Sequence, residues 1–181
     1  MTANSSIPEM LNQSRTVLTS PSVANFERFE GRGNLADALI YMTIAAAITG
    51  VFGLTEGVGG FLRNIISALL GFLIFTYLVH WIGSRRGGSG TLDEVAYSFA
   101  LFWAPLTVLV GVVSLILAIT VVGIVLIPLV LLAAFVVNVF FAYLAVQSSM
   151  NLQGGGPTWT VLILAALASF VLNLIIAAIL N

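Results

Sequence analysis

The absence of charge from the C-terminal half of the chain constrains the fold more than any other sequence feature. All charged side chains lie between Glu9 and Glu94, so residues 95–181 carry none. The whole 181-residue chain is 60% hydrophobic and 7% charged, whereas a soluble domain is roughly 25% charged. This distribution predicts an integral membrane protein.

Five apolar segments approach the ~20 residues that a helix needs to cross the hydrocarbon core. Only weak helix-breaking signals separate the third segment from the fourth. Together, however, the two segments are too long for one tilted helix. We therefore expect a tight turn near Thr120 to Gly123. The prediction is an all-α fold, a bundle of five transmembrane helices in residues 35–181, with helices at about 35–54, 65–82, 95–119, 124–147 and 159–180.

The arginines predict the orientation of this bundle. An odd number of spans puts the termini on opposite sides, and a cytoplasmic N-terminus leaves only Arg63 on the far side. Because loops rich in Arg and Lys stay in the cytoplasm, we expect a cytoplasmic N-terminus and an exterior or lumenal C-terminus. The arginines then on the cytoplasmic side are Arg15, Arg28, Arg32, Arg85 and Arg86.

Residues 1–34 form a cytoplasmic segment in this scheme. Apolar side chains recur at helical spacing from Ile7 to Leu18, which predicts an amphipathic helix lying in the membrane interface. Ser20 and Pro21 are expected to start a second short helix that places Phe26 and Phe29 on one face. The segment is interpreted as an interfacial anchor, with a partner-binding role as the alternative.

Composition excludes several classes of site. The chain has no cysteine and a single histidine, His80, which excludes disulfides and a Cys/His zinc site. It has no lysine, so a phosphate-binding loop of the usual type is excluded too. A net charge of −1 gives no electrostatic footprint for nucleic acid. We expect no cofactor and no metal.

The loop Ser84 to Ser98, SRRGGSGTLDEVAYS, contains the pattern G-x-S-G around Ser89. A nucleophilic serine needs a base at hydrogen-bond distance, and His80 is expected inside the second span, away from this surface loop. The stronger interpretation is a helix start, because Thr91 and Glu94 have capping-box spacing. Asn34 and Asp37 repeat that spacing before the first span.

Polar side chains are few in the last three predicted spans. Asn138 and Asn173 lie near the middles of the fourth and fifth spans, where an amide typically bonds to a neighbouring helix. Pro105 and Pro128 are expected to kink their helices. A proton-coupled pump usually keeps a buried charge in its spans, so the absence of charge disfavours that class.

Several motifs together resemble one family. They are LTSPS (Leu18 to Ser22), GGSGTLDE (Gly87 to Glu94), Trp103-Ala104-Pro105, and a glycine-rich loop before the last span. Their order is similar to the Ypt/Rab-interacting protein (Yip) family in its short prokaryotic form. The resemblance implies a five-helix membrane domain with a cytoplasmic N-terminus, in a prokaryotic cell (inner) membrane. Eukaryotic members are associated with small GTPases through a longer N-terminal region, so that role is not carried over.

Three functions follow as hypotheses. The first is a non-enzymatic scaffold or partner-binding protein that influences membrane organisation, with the bilayer and other membrane proteins or a second copy as partners. The alternatives are a small-molecule or ion permease running past Asn138 and Asn173, and a weaker one, an intramembrane hydrolase using Ser89. The residues predicted for partner docking are Met10, Leu11, Arg15, Phe26, Phe29, Arg85, Arg86, Gly87, Gly88, Gly90, Asp93 and Glu94.

Overall fold

The structure, a computed structural model, describes residues 5–51 and 57–180, with side chains described as far as Ile175. Within these ranges the chain is all-α and has no strand. Its seven helices are α1 (Ile7–Thr19), α2 (Val23–Glu30), α3 (Leu35–Gly50), α4 (Gly57–Arg85), α5 (Leu92–Ala118), α6 (Val121–Ser149) and α7 (Gly155–Leu180).

Of the helices described, α4, α5, α6 and α7 are long and apolar enough to cross a membrane. The apolar helix α3 has 16 residues, which corresponds to roughly 24 Å at 1.5 Å per residue. The predicted end of the first span, at Leu54, lies outside the described residues. The prediction of five spans is therefore matched by four helices of full length and one shorter apolar helix.

Both predicted capping boxes are confirmed. At the start of α5, the Glu94 backbone N–H donates to Thr91 Oγ1 (3.2 Å) and the Thr91 N–H donates to Glu94 Oε2 (2.7 Å). At the start of α3, the same exchange joins Asn34 and Asp37 at 3.0 and 3.3 Å. Each box satisfies backbone donors that a helix leaves unpaired at its N-terminus.

The predicted turn between the third and fourth spans is present, although it lies slightly earlier than expected. Helix α5 ends at Ala118, and Thr120 caps α6 by accepting from the Gly123 N–H at 2.9 Å. A β-carbon on Gly123 would lie 2.0 Å from the Leu117 carbonyl oxygen. Only glycine therefore fits this close approach between the two helices.

The start of α2 differs from the prediction. The N-cap is Ser22 rather than Ser20, because the Ser22 hydroxyl accepts from the Asn25 N–H at 3.2 Å. Ser20 instead ends α1, and its carbonyl accepts from the Asn25 side chain at 2.6 Å. The two serines thus have different roles on either side of Pro21.

Helix α1, which the sequence predicts to be an amphipathic helix in the membrane interface, packs on the bundle. Its apolar face is fully buried against the rest of the chain at Met10 and Val17, and α1 packs on α5. Helix α2 packs on α5 and α6, and buries Phe26 and Phe29. Part of the apolar face of α1 therefore covers protein, while Leu11 remains exposed.

Helix α5 is the centre of the bundle, since it packs against α3, α4 and α6 as well as against α1 and α2. Aromatic rings of α2, α4 and α6 contact rings of α5. Phe26 of α2 contacts Phe102 edge-on with centroids 6.2 Å apart, Phe75 of α4 contacts Trp103 at 5.7 Å, and Phe141 of α6 stacks on Phe102 at 5.7 Å. The helices α5 and α6 continue through Pro105 and Pro128.

Candidate functional site

The two N-terminal helices form a cap over one end of the bundle. We define the cap as α1, α2, the connections 31–34, 86–91 and 150–154, and the helix ends that adjoin these connections, including Arg85 and Asp93. Two of its buried contacts are polar: the Tyr97 hydroxyl donates to Gln13 Oε1 at 2.8 Å, and the hydroxyls of Ser14 and Tyr41 lie 3.1 Å apart. Buried polar groups cost free energy unless they are paired, so these two pairs orient α1 on the bundle.

Further hydrogen bonds tie the cap to the starts and ends of the longer helices. Asp93 accepts from the Leu35 backbone N–H at 2.9 Å and so joins the start of α5 to the start of α3. The Ser148 hydroxyl at the end of α6 donates to the Glu30 carboxylate at the end of α2. The cap therefore holds four helix termini together.

Glu30 is the cap residue whose pKa is shifted. Burial raises its pKa above the ordinary value, and the negative charges of Glu94 and Glu27 raise it further. The hydrogen bond from Ser148 acts in the opposite direction but is weaker than the effect of burial. The carboxylate at this junction is thus held at a cost in desolvation.

The glycine-rich loop fastens the α4–α5 connection to the α6–α7 connection. The Ser89 N–H donates to the Met150 carbonyl at 3.1 Å. A β-carbon on Gly90 would lie 1.5 Å from the Ser149 carbonyl oxygen, and Gly87 has a φ of +89°. These glycines are needed for a close backbone approach and a left-handed turn, which places both connections at the same end of the bundle.

The predicted docking residues divide by exposure. Met10, Phe26, Phe29 and Gly90 are buried in the chain, so a partner cannot contact them in this arrangement. Gly88 and Glu94 are partly buried. The exposed residues of the set are Leu11, Arg15, Arg85, Arg86, Gly87 and Asp93.

The exposed cap carries charges of both signs. Arg32 lies 3.8 Å from Glu9, and its guanidinium lies over the Phe29 ring at 5.6 Å. Arg85 stacks on Trp81 at 4.0 Å from the ring centre. Stacking on an aromatic face leaves the guanidinium N–H groups free to meet a partner.

The geometry does not bring together the elements of a serine hydrolase. Ser89 is exposed on the cap, and its described hydrogen bond is the one from its backbone to Met150. His80 lies within α4, and its buried Nδ1 has no hydrogen-bond partner in the described chain. Among residues 5–51 and 57–180, no group of three His, Asp or Glu side chains could hold a metal ion.

The two intramembrane asparagines bond within their own helices. Asn138 Nδ2 donates to the Ala134 carbonyl and Asn173 Nδ2 to the Ser169 carbonyl, both at 2.8 Å. In the described residues neither amide has a hydrogen bond to another helix, which differs from the expected contact between helices. Both side chains instead line cavities between the helices.

Sequence reasoning missed the residues that fix the cap. Gln13 and Tyr97 are 84 positions apart, and Glu30 and Ser148 are 118 apart. No local pattern marks such pairs. The one available signal is the polar residue at position 13, between the apolar positions 10 and 17 of α1, which indicates that a polar partner lies opposite it.

A protein-family model described as the Yip1 domain matches residues 15–179. Searches of curated proteins and of solved structures gave no match. The match begins inside α1 at Arg15 and extends through nearly the whole of α7, so it includes the bundle and the part of the cap that follows Arg15.

Proposed function

Because the chain belongs to the Yip1-domain family, we propose that it is a non-enzymatic membrane scaffold whose cap binds a partner protein. It is an integral membrane protein, as its long apolar helices and its family indicate. The observation that carries the proposal is the construction of the cap. Rigid buried contacts beneath it support an outer surface that includes Leu11, Arg15, Arg85, Arg86 and Asp93.

The scaffold is proposed to have five spans in residues 35–181, preceded by the cytoplasmic segment 1–34. Helix α3 begins beside the start of α5 at the cap, where Leu35 bonds to Asp93. Its last residue, Gly50, lies against Phe61 and Ile65 near the start of α4. This path supports a crossing by α3, although the helix is short.

Cysteine labelling tests this topology directly, because the chain has no native cysteine. Leu11→Cys and Ser89→Cys are expected to react from the cytoplasmic side of sealed membranes, and Val58→Cys only from the other side. All three positions are exposed in the structure. Labelling of Leu11→Cys and Val58→Cys from the same side would contradict a crossing by α3.

Partner binding is tested with surface variants, since deleting α1 would remove core residues. We expect Leu11→Ser with Arg15→Gln, and separately Arg86→Gln, to lower the yield of proteins crosslinked to the cap in native membranes. Val58→Ser, at the opposite end of α4, is the matched control. Yields that are unchanged in all the cap variants, with correct insertion, would contradict a docking role for this surface. The partners expected are other membrane proteins or a second copy.

A permease is retained as the second candidate, because Asn138 and Asn173 border cavities in the bundle. Its test is solute flux into proteoliposomes. Flux that is lost in Asn138→Leu and kept in Val136→Leu, an exposed neighbour on α6 that lines no described cavity, would favour transport over a scaffold.

A further inference from the structure

Most threonine hydroxyls of the bundle donate a hydrogen bond within their own helices. Thr43, Thr76 and Thr160 each donate to the carbonyl one turn earlier in their own helices, at 2.7, 2.8 and 2.9 Å. Ser67 and Thr107 make no hydrogen bond within the described chain. Ser98 Oγ is also unpaired, but Ser98 lines none of the described cavities. In hydrocarbon an unpaired polar group costs several kcal/mol, so a hydroxyl that faces a cavity gains free energy from a partner bound there.

Ser67 and Thr107 line one cavity of about 330 Å³ between α3, α4, α5 and α7. Ser169 and Asn173 add further polar groups to its wall, and none of the lining residues is charged. The Asn173 amide donates to the Ser169 carbonyl, which leaves its own oxygen as an acceptor. A site with neutral donors and acceptors is suited to an uncharged ligand group such as an ester or a hydroxyl.

The depth of this cavity indicates which molecule carries that group. Ser67 lies about 18 residues before Arg85 on α4, or roughly 27 Å along the helix. The hydrocarbon core is about 30 Å thick. With Arg85 at the boundary on the cap side, the polar cavity lies near the opposite boundary, where the glycerol esters of lipids are found.

A second cavity, of about 480 Å³, continues from the polar one towards the cap. The two cavities share Phe75 and Trp103 as wall residues. Apart from Asn138 the second cavity is lined by apolar and aromatic side chains, and it extends along α7 to Trp159. The pair is therefore polar near the boundary and apolar towards the middle of the membrane, which is the order of groups in a lipid.

We propose that these cavities hold one membrane lipid from the leaflet remote from the cap. Its glycerol ester group bonds to Ser67 and Thr107 in the polar cavity, and one acyl chain passes Trp103 into the apolar cavity. Trp103 is positioned for this contact by edge-on packing against Phe72 and Phe75, with centroids 5.8 and 5.7 Å away. Ser67 is itself exposed, so the lipid enters sideways from the bilayer.

Gly71 provides a specific way to block the site. It lines the polar cavity, and a β-carbon placed on it meets no atom within 4 Å. Gly71→Leu is therefore expected to fill the cavity without disturbing the backbone. Gly59→Leu is the matched control, because Gly59 lies on the same helix, is equally free of neighbours and lines no described cavity.

The experiment uses phosphatidylcholine vesicles that contain a small fraction of phosphatidylcholine with a photoactivatable acyl chain. Insertion is mapped by peptide mass spectrometry. It is compared between the cavity wall, at residues 99–103 and 159–167, and the exposed stretch 121–132. In the wild type and in Gly59→Leu, we expect the lipid to insert preferentially into the cavity wall. In Gly71→Leu, the ratio of insertion at the wall to insertion at the exposed stretch should fall several-fold.

Ser67→Ala with Thr107→Val is the second variant, since it removes the hydrogen bonds and leaves the volume almost unchanged. It is expected to lower the preference as well, and it decides the question if Gly71→Leu does not fold. Even labelling of both regions in the wild type would overturn the proposal. So would a preference that survives in every variant that folds.

Discussion

The cap end of the bundle and its opposite end are built in different ways. At the cap, helices from distant parts of the chain are joined by buried side-chain hydrogen bonds and by glycines in contact with backbone. We call residues 109–137, the second half of α5 and the first half of α6, the distal half. There most large apolar side chains are exposed, among them Val121 at 83% and Phe135 at 65%.

The contrast reflects the solvent at each end. Lipid is as apolar as the distal side chains, so burying them against protein gains little, and they can remain exposed in a stable fold. At the cap, water competes for polar groups and favours burial of apolar ones. Stability specific to this fold should therefore be concentrated at the cap, and each prediction below tests that unequal distribution.

The largest difference is expected for two phenylalanines, one in the cap and one in the distal half. Phe26 is fully buried and Phe135 is 65% exposed. Phe26→Ala should lower the free energy of unfolding by about 3–5 kcal/mol, because it leaves a cavity under the cap. Phe135→Ala should change it by less than about 1 kcal/mol, since lipid fills the space. Unfolding in mixed detergent and denaturant measures both, and equal losses would break the comparison.

A smaller loss of stability is expected when a single methyl group is added to the glycine-rich loop. Gly90→Ala should destabilise by about 3 kcal/mol, the upper part of the range for overpacking, because the added carbon meets the Ser149 carbonyl. Gly31→Ala is the control, since its β-carbon meets nothing within 4 Å. Thermal aggregation of the two purified variants gives the ranking. A Gly90→Ala protein as stable as Gly31→Ala would mean that the loop does not fasten the two connections.

Loss of the hydrogen bond between Tyr97 and Gln13 should lower the free energy of unfolding by an intermediate amount. Tyr97→Phe leaves Gln13 buried without its partner, which typically costs about 1–3 kcal/mol. Tyr77 is the same residue type but is 55% exposed, so Tyr77→Phe should be close to neutral. Hydrogen exchange of the backbone amides localises the effect. For Tyr97→Phe we expect faster exchange in α1 alone, and equally faster exchange in all helices would contradict a bond that orients α1.

Local rules predicted the elements of this fold well. Both capping boxes and the break at Thr120 depend on residues within three positions of each other, so the sequence displays them. The position of α1 could not be predicted in this way. An apolar helical face such as that of Met10 and Val17 is compatible with lipid or with protein, and only the distant partner Tyr97 distinguishes them.

The candidate site was predicted in part for the same reason. Charge and glycine content identified the loop with Arg85 and Arg86, which is exposed on the cap. The same reasoning selected Phe26 and Phe29 because they share a face, but a shared face does not distinguish a docking surface from a core. In the structure both phenylalanines are buried, so they belong to the core and not to an exposed docking surface.

The smallest expected effect is a dependence of cap stability on pH. Because burial raises the pKa of Glu30, the folded protein binds this proton more tightly than the unfolded chain does. The stabilisation is complete below the ordinary pKa of a glutamate and is lost as pH rises through the raised pKa. Melting temperatures between mildly acidic and neutral pH should therefore fall more for the wild type than for Glu30→Gln.

Glu27→Gln is the control for this last comparison. Burial, the largest cause of the shift in the pKa of Glu30, remains in that variant, and only one of the two neighbouring negative charges is removed. It should keep most of the wild-type dependence on pH. If Glu30→Gln kept the full dependence, the titrating group would lie elsewhere, and the junction of α2 with α6 would not be the part of the cap that responds to protons.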